Sequence, residues 1–204
     1  MSNLKDTYNL IAEDWHKDHQ KDDWWVEGTD TFAKLLTAGD RVLDIGCGTG
    51  VKAKYLSSKG LKVIGLDFSE QMINIAKREV SEADFKVLDM RDVGELEGDF
   101  DGIFMQASLL HIPKNEALDV LTKIKTKLKP GGLLYIAVKE VKPNRPDEEV
   151  VKESDYGYEY ERFFSYYKME ELENYLNTLG LKIIYKNSAA PSNRWLSIIG
   201  QKGA

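Results

Sequence analysis

One cysteine, Cys47, occurs in the 204 residues, so an internal disulfide is excluded. No apolar run is long enough to span a bilayer, and the first residues lack a charged-then-apolar signal pattern. A cytoplasmic protein with no membrane partner is therefore expected. A basic surplus is also missing. The net charge is -6 with both signs mixed along the chain, whereas holding a nucleic-acid backbone needs a stripe of Lys and Arg. A nucleic acid is not expected as partner, and no metal site is expected. Repeats and low-complexity segments are absent too. What remains is 42% hydrophobic and 30% charged residues, a composition that supports one large core in a single domain.

Against that background one stretch stands out: Val42-Leu43-Asp44-Ile45-Gly46-Cys47-Gly48-Thr49-Gly50. Arg41 to Ile45 reads as a short buried strand, apolar with no helical period. Glycines at alternate positions follow, and an amphipathic helix then begins at Val51. A strand that breaks into glycines before a helix leaves free N–H groups at a positively polarised helix end, with room for a ligand to approach the backbone. A dinucleotide site wants G-x-G-x-x-G. Here the spacing is Gly46, Gly48, Gly50, with Val51 next, and Asp44 sits two positions before the first glycine. A carboxylate there suits an ammonium group better than a pyrophosphate. Cys47 lies at a helix start, where a thiol pKa can fall, or it is simply a small residue in a tight turn.

The pattern Asp44-x-Gly46-x-Gly48-x-Gly50 resembles the signature of the class I S-adenosylmethionine-dependent methyltransferases of small molecules. The resemblance implies an α/β fold. Its core is a three-layer αβα sandwich around a seven-stranded, mostly parallel sheet with an antiparallel last strand, preceded by N-terminal helices. The chain divides accordingly into lid helices (1–38), a cofactor-binding half (39–138), a substrate-wall insertion (139–168) and a C-terminal helix and hairpin (169–204). Alternating strands and helices through residue 138, then a hairpin, agree with that order.

The remaining candidates follow along the chain. Residues 5–20 form a helix with Tyr8 on its apolar face, and the resemblance makes Tyr8 a donor to the cofactor carboxylate. The charged segment Asp18–Asp23 precedes an exposed-looking Trp24-Trp25 pair, and a second helix is expected from Asp30 to Leu36. Asp67 ends the second strand, 21 residues after Gly46, where one carboxylate can accept both ribose hydroxyls. Phe68 stacks on adenine or packs in the core. Asp89 and the backbone of Met90, after the third strand, take the adenine edge by resemblance, with Asp92 as the competing acid. Gln106 ends the fourth strand and is a lesser cofactor candidate. The small residues Ala107 and Ser108 follow it, and then His111, whose ordinary pKa near working pH suits it to accept a proton from a nucleophile. Pro130-Gly131-Gly132 is expected to stop the helix before a fifth strand from Leu133. Residues 139–168, rich in tyrosine, read as a long loop walling the substrate site, with Glu140, Tyr158 and Arg162 as its contacts. A turn around Pro191 is expected over 189–193.

These readings converge on methyl transfer from S-adenosylmethionine, with S-adenosylhomocysteine as product, to a small-molecule acceptor. The acceptor atom and the oligomeric state stay open. Three rivals remain: a nucleic-acid methyltransferase, for which Met105-Gln106-Ala107-Ser108 is a poor motif; a nicotinamide oxidoreductase; and a non-catalytic cofactor-binding protein of the same fold.

Overall fold

The computed structural model describes residues 4–189 and 194–204. Helices α1 (Leu4–His19) and α2 (Val26–Ala33) lead into a run of alternating strands and helices: β1 (Arg41–Ile45), α3 (Val51–Ser58), β2 (Lys62–Asp67), α4 (Glu70–Glu79), β3 (Asp84–Val87), β4 (Phe100–Gln106), α5 (Lys114–Thr126) and β5 (Leu128–Lys139). A hairpin, β6 (Glu148–Glu153) and β7 (Tyr160–Ser165), precedes α6 (Met169–Thr178), β8 (Lys182–Ala189) and β9 (Trp195–Gln201).

Seven strands form one sheet in the order β3-β2-β1-β4-β5-β9-β8. Pairing is parallel from β3 through β5, and β9 is antiparallel to both of its neighbours. The order reverses between β1 and β4, and a crevice opens at the carboxyl ends of strands at such a switch point. The glycine stretch leaves β1 there, and the segment 107–111 leaves β4 beside it.

Alternation along β1 shows how the layers form. Leu43 and Ile45 face a core that includes Ala117, Leu121 and Ile124 of α5 and Leu172 and Leu176 of α6. Val42 faces the opposite core, with Phe32 of α2, Ala53 and Leu56 of α3 and Ile73 and Ala76 of α4. Asp44 shares the parity of Val42 and so points to the α3 side. The expected αβα sandwich, with seven strands and an antiparallel last strand, is present.

Four expectations need correction. Helix α2 starts at Val26 after Trp25, not at Asp30. Asp30 instead accepts the Tyr55 hydroxyl at 2.8 Å and pairs with Lys59. Trp24 is 43% exposed, but Trp25 is buried, so the two tryptophans do not share an environment. Strand β5 begins at Leu128, which pairs with Phe100 before the register shifts, so Pro130-Gly131-Gly132 is an irregularity inside a strand rather than a stop before one. Residues 139–168 are no loop, because Glu148–Glu153 pairs with Tyr160–Ser165 as a separate two-stranded sheet. Its acids, Glu148, Glu149 and Glu153, flank Val150, Val151 and Lys152, and exposed residues alternate with half-buried ones, a strand that the sequence presents as a charge run. The turn expected around Pro191 lies outside the described residues.

Candidate functional site

The glycine stretch is held by β2. The N–H groups of Gly46 and Cys47 both donate to the Leu66 carbonyl, at 2.7 and 2.9 Å. Gly46 has φ +73°, and a Cβ placed on it would lie 2.4 Å from the Ser108 Cβ. The two segments that leave β1 and β4 therefore touch through this missing side chain. Ala107 sits in the left-handed region at φ +59°, an uncommon conformation for a residue with a Cβ, at the end of β4. Gly50 starts α3 at φ +84°, but its hydrogen faces Ala76, Val80 and Phe85. Of the glycines expected to meet a cofactor, Gly46 and Gly48 line the cleft, whereas Gly50 packs α3 against α4 and β3.

Charge is concentrated beneath and beside this loop. Asp44 is 1% exposed, and its Oδ2 has no hydrogen-bond partner among the described residues. Burial pushes its carboxyl up to about 7, opposed by the Lys52 ammonium. Lys52 lines the cleft, with its Nζ 5.8 and 5.7 Å from the ring centroids of Trp15 and Trp25. Asp67 accepts from Gly48 N at 3.0 Å and from Ser69 N at 2.9 Å, so its carboxylate joins the glycine loop to the start of α4. Burial still raises it to about 6. The Cys47 thiol is raised as well, by burial and then by the neighbouring carboxylates. That corrects the idea that the helix start lowers it: here desolvation and negative neighbours outweigh the helix end.

Helix α1 roofs the cleft. Trp15 covers Gly48, and His16 Nδ1 bonds the Thr49 hydroxyl at 3.0 Å. Asn9 accepts from Ser69 Oγ and Gln71 N at the start of α4, and Thr7 donates to the Glu161 carbonyl of β7. Tyr8 meets His111 with its hydroxyl 2.7 Å from Nε2. The other ring nitrogen, Nδ1, is 2.8 Å from the Phe163 carbonyl. A carbonyl can only accept, so Nδ1 carries the proton and Nε2 accepts from Tyr8. Burial first, then Arg162 and Lys139, push His111 down to about 3, so the imidazole is neutral at working pH. The expectation that it titrates near working pH is thereby overturned. Arg162 contacts Tyr8 and pairs with Glu153 at 2.6 Å, which ties the hairpin to the roof.

Two cavities meet at this point. One of about 70 Å³ is bounded by Tyr8, Trp15, the Gly46–Gly48 loop, Lys52, Asp67, Gln106 and Ser108. The other, of about 870 Å³, runs along Phe68, Leu88, Asp89 and Arg91 to Glu161 and Phe163. Phe68, Met90 and His111 belong to both. Gln106 lies on the cleft wall, its Oε1 accepting the Tyr135 hydroxyl at 3.0 Å. Asp89 caps the turn after β3 by accepting from Arg91 N at 2.9 Å.

The residues expected on the substrate side divide. Arg162 reaches Tyr8, but Glu140 pairs with Arg194 in a different cavity, and Tyr158 donates to Asp14 of α1. Sequence reasoning did not find Lys52, the roof position of Trp15 or the Phe163 carbonyl. Lys52 was within reach, since it follows the glycines by two residues. A backbone carbonyl across the fold leaves no signal.

A family model described as a methyltransferase domain matches residues 42–132. A putative methyltransferase of Bacillus subtilis, YqeM, is 32% identical over 124 residues, covering 57% of this chain and 48% of that protein. A ubiquinone biosynthesis O-methyltransferase of Chromobacterium violaceum is 28% identical over 144 residues, 65% of this chain and 60% of that protein. The chain thus spans about half the length of the first curated relatives it matches. Among solved structures, the Burkholderia thailandensis 1,6-didemethyltoxoflavin-N1-methyltransferase with bound S-adenosylhomocysteine superposes with a TM-score of 0.77 at 18% identity, covering 98% of this chain and 88% of that one. Magnesium protoporphyrin IX methyltransferase of Synechocystis, with bound S-adenosylmethionine, gives 0.72 at 19% identity over 98% and 95%. Residues 42–132 thus match a methyltransferase-domain model, and the chain around them shares its fold with these solved S-adenosylmethionine- and S-adenosylhomocysteine-bound methyltransferases.

Proposed function

We propose that the protein transfers a methyl group from S-adenosylmethionine to a small-molecule acceptor in the cytoplasm. The observation that carries this reading is the Asp44–Lys52 arrangement: a buried carboxylate with an unpartnered oxygen two residues before the glycine loop, and an ammonium group that lines the cleft beside that loop. An amino-acid zwitterion complements that pair, with its ammonium toward Asp44 and its carboxylate toward Lys52. A pyrophosphate would meet two carboxylates, Asp44 and Asp67, and is disfavoured. The cleft fits a cofactor with an amino-acid end and no phosphate. Asp67 would take the ribose hydroxyls, and Phe68, Asp89 and Met90 the adenine, along the larger cavity.

When bound, the cofactor supplies an activated methyl group on a sulfonium. The residues of this chain then have to align the acceptor and exclude water. Trp15 and Tyr8 close the cleft from above, and the Gly46–Ser108 contact fixes its floor. Neutral His111 presents Nε2 to a hydroxyl or amine in place of the Tyr8 hydroxyl, which makes it a positioning acceptor rather than a strong base. The β6–β7 hairpin, within 139–168, forms the outer wall through Phe163 and Arg162.

Calorimetric titration of the purified protein with S-adenosylmethionine, S-adenosylhomocysteine and NADH tests the reading, in wild type and Asp67→Ala. Binding of the first two, weakened in the variant, is expected. Binding of NADH alone would overturn it in favour of an oxidoreductase. Binding followed by no transfer to any acceptor panel would favour a non-catalytic protein.

A further inference from the structure

A third cavity, of about 410 Å³, lies between the end of β5, the turn at 142–145, strand β6 and Arg194. In a chain of net charge -6 its lining is unusual: Lys139, Lys142, Arg145, Lys152 and Arg194 stand against Glu140 and Glu149. The two carboxylates are already engaged. Glu140 pairs with Arg194 at 3.2 Å, and Glu149 accepts a hydrogen bond from the Tyr166 hydroxyl. Lys152 pairs with Glu161 at 3.6 Å on a side chain that is 82% exposed, a contact of little strength. That leaves Lys139, Lys142 and Arg145, none of which has a carboxylate within ion-pair distance among the described residues.

The backbone holds these cations together. The Arg145 N–H donates to the Lys142 carbonyl at 3.2 Å, and Asn144 takes φ +59°, so the turn brings both residues to the cavity mouth. Lys139 is half-buried at the inner end, its Nζ 4.5 Å above the Phe164 ring centroid. Its ammonium is disfavoured by burial and then by Arg162, with Lys142 adding to the repulsion and the Glu153 carboxylate opposing it only in part. A half-buried cation among other cations is a cost to the folded state that a bound anion would relieve.

We propose that this cavity binds a small, multiply charged anion carrying phosphate or carboxylate groups, with Lys139 at its floor and Lys142 and Arg145 at its mouth. The site adjoins the larger cavity through Glu149 and Val150, lies apart from the cleft lined by the glycine loop, Lys52 and Asp67, and does not depend on the methyl-transfer reading. Its volume exceeds that of a single phosphate ion, so an organic phosphate or a polycarboxylate is the class it fits.

The test is calorimetric titration of the purified full chain with sodium pyrophosphate and, separately, with citrate, in low and moderate salt. The wild type is compared with Lys142→Glu/Arg145→Glu, which changes only exposed side chains, and with Lys139→Met. One saturable site is expected for at least one anion, weakened by added salt and about tenfold or more weaker in each variant, as for loss of a charge-assisted contact. S-adenosylmethionine titration of the exposed double variant is expected to match wild type. Preference for pyrophosphate identifies the phosphate class, and preference for citrate the carboxylate class. Absence of binding by both anions, or equal affinity in wild type and the double variant, overturns the proposal. Failure of the cofactor to bind would leave it intact.

Discussion

The Tyr8 hydroxyl donates to His111 Nε2 across 2.7 Å, joining the first helix to the turn that follows the fourth strand. Because the Phe163 carbonyl fixes the proton on Nδ1, the direction of this bond is set from the far side of the ring. His111 is thereby held as a neutral acceptor. Its folded pKa, near 3, lies below the unfolded value of about 6.5, so folding disfavours protonation. Its contribution to stability is present above the unfolded pKa and is lost as pH falls from about 6.5 toward 3. Nitrogen-15 NMR of the imidazole is expected to show the Nδ1–H tautomer with no titration above pH ~5. A resonance that titrates near 6.5 would contradict this arrangement.

Asp44 has the opposite sign. Its carboxyl binds a proton more tightly folded, at about 7, than unfolded, at about 3.9. Folded-state stability contributed by this group therefore falls as pH rises from about 4 to 7, and Asp44→Asn removes that slope. A ligand ammonium requires the ionised form. S-adenosylmethionine affinity is expected to rise with pH up to about 7 and then level off, with up to tenfold change per pH unit on the acid limb. Calorimetry across that range checks it, and a flat profile would remove Asp44 from the binding site.

Lys52→Met separates the two ends of the ligand. The variant keeps packing against Trp15 and Trp25 but loses the cation. S-adenosylmethionine and S-adenosylhomocysteine are expected to bind about tenfold more weakly, consistent with a charge-assisted contact of ~1.4 kcal/mol. Methylthioadenosine, which lacks the amino-acid end, is expected to bind equally to both proteins. Equal loss for all three ligands would place Lys52 in a structural role instead.

Two glycines two residues apart, Gly46 and Gly48, carry different demands. Gly46→Ala forces a Cβ to 2.4 Å from Ser108 at φ +73°, whereas Gly48→Ala meets only the Trp15 ring at 3.6 Å, an ordinary contact. Gly48→Ala is expected to cost about 1 kcal/mol, the left-handed penalty alone. Gly46→Ala is expected to cost about 3 kcal/mol or more, since strain and overlap add. Chemical denaturation distinguishes them, and equal costs would show that the β4 segment can yield.

Much of this was legible in the sequence because its physics is local. A buried strand, glycines without room for side chains and a helix start are encoded in consecutive residues, and so the crevice at Gly46 and the acids Asp44 and Asp67 could be read directly. The cap of α4 is local in the same way, with the Ser69 side chain accepting from Met72 N three residues on. The hairpin at 148–165 was not, because its pairing partners lie up to 17 residues apart and the sequence of β6, with paired acids and paired valines, lacks the period of two that marks a strand. Glu140 was assigned to the substrate side from sequence proximity to an aromatic run, but its carboxylate turns to Arg194, a partner 54 residues away. The residue type of His111 suggests a proton acceptor, but its basicity is set by burial, the Phe163 carbonyl and the charges of Arg162 and Lys139, which no local pattern specifies.

The roof over the cleft has a consequence for how the protein is made and how it opens. Helix α1 comes first in the chain, yet Thr7 bonds a residue 154 positions later and Tyr158 reaches back 144 positions to Asp14. Contacts of such separation pay the largest loop-closure cost, so α1 docks after the sheet and hairpin exist to receive it. These tethers, together with Ala12 packed against Met72 and Ile75 of α4, are expected to open before the paired strands beneath. Folding and ligand exchange are therefore expected to share one final step, with amide exchange in α1 faster than in the paired strands beneath it.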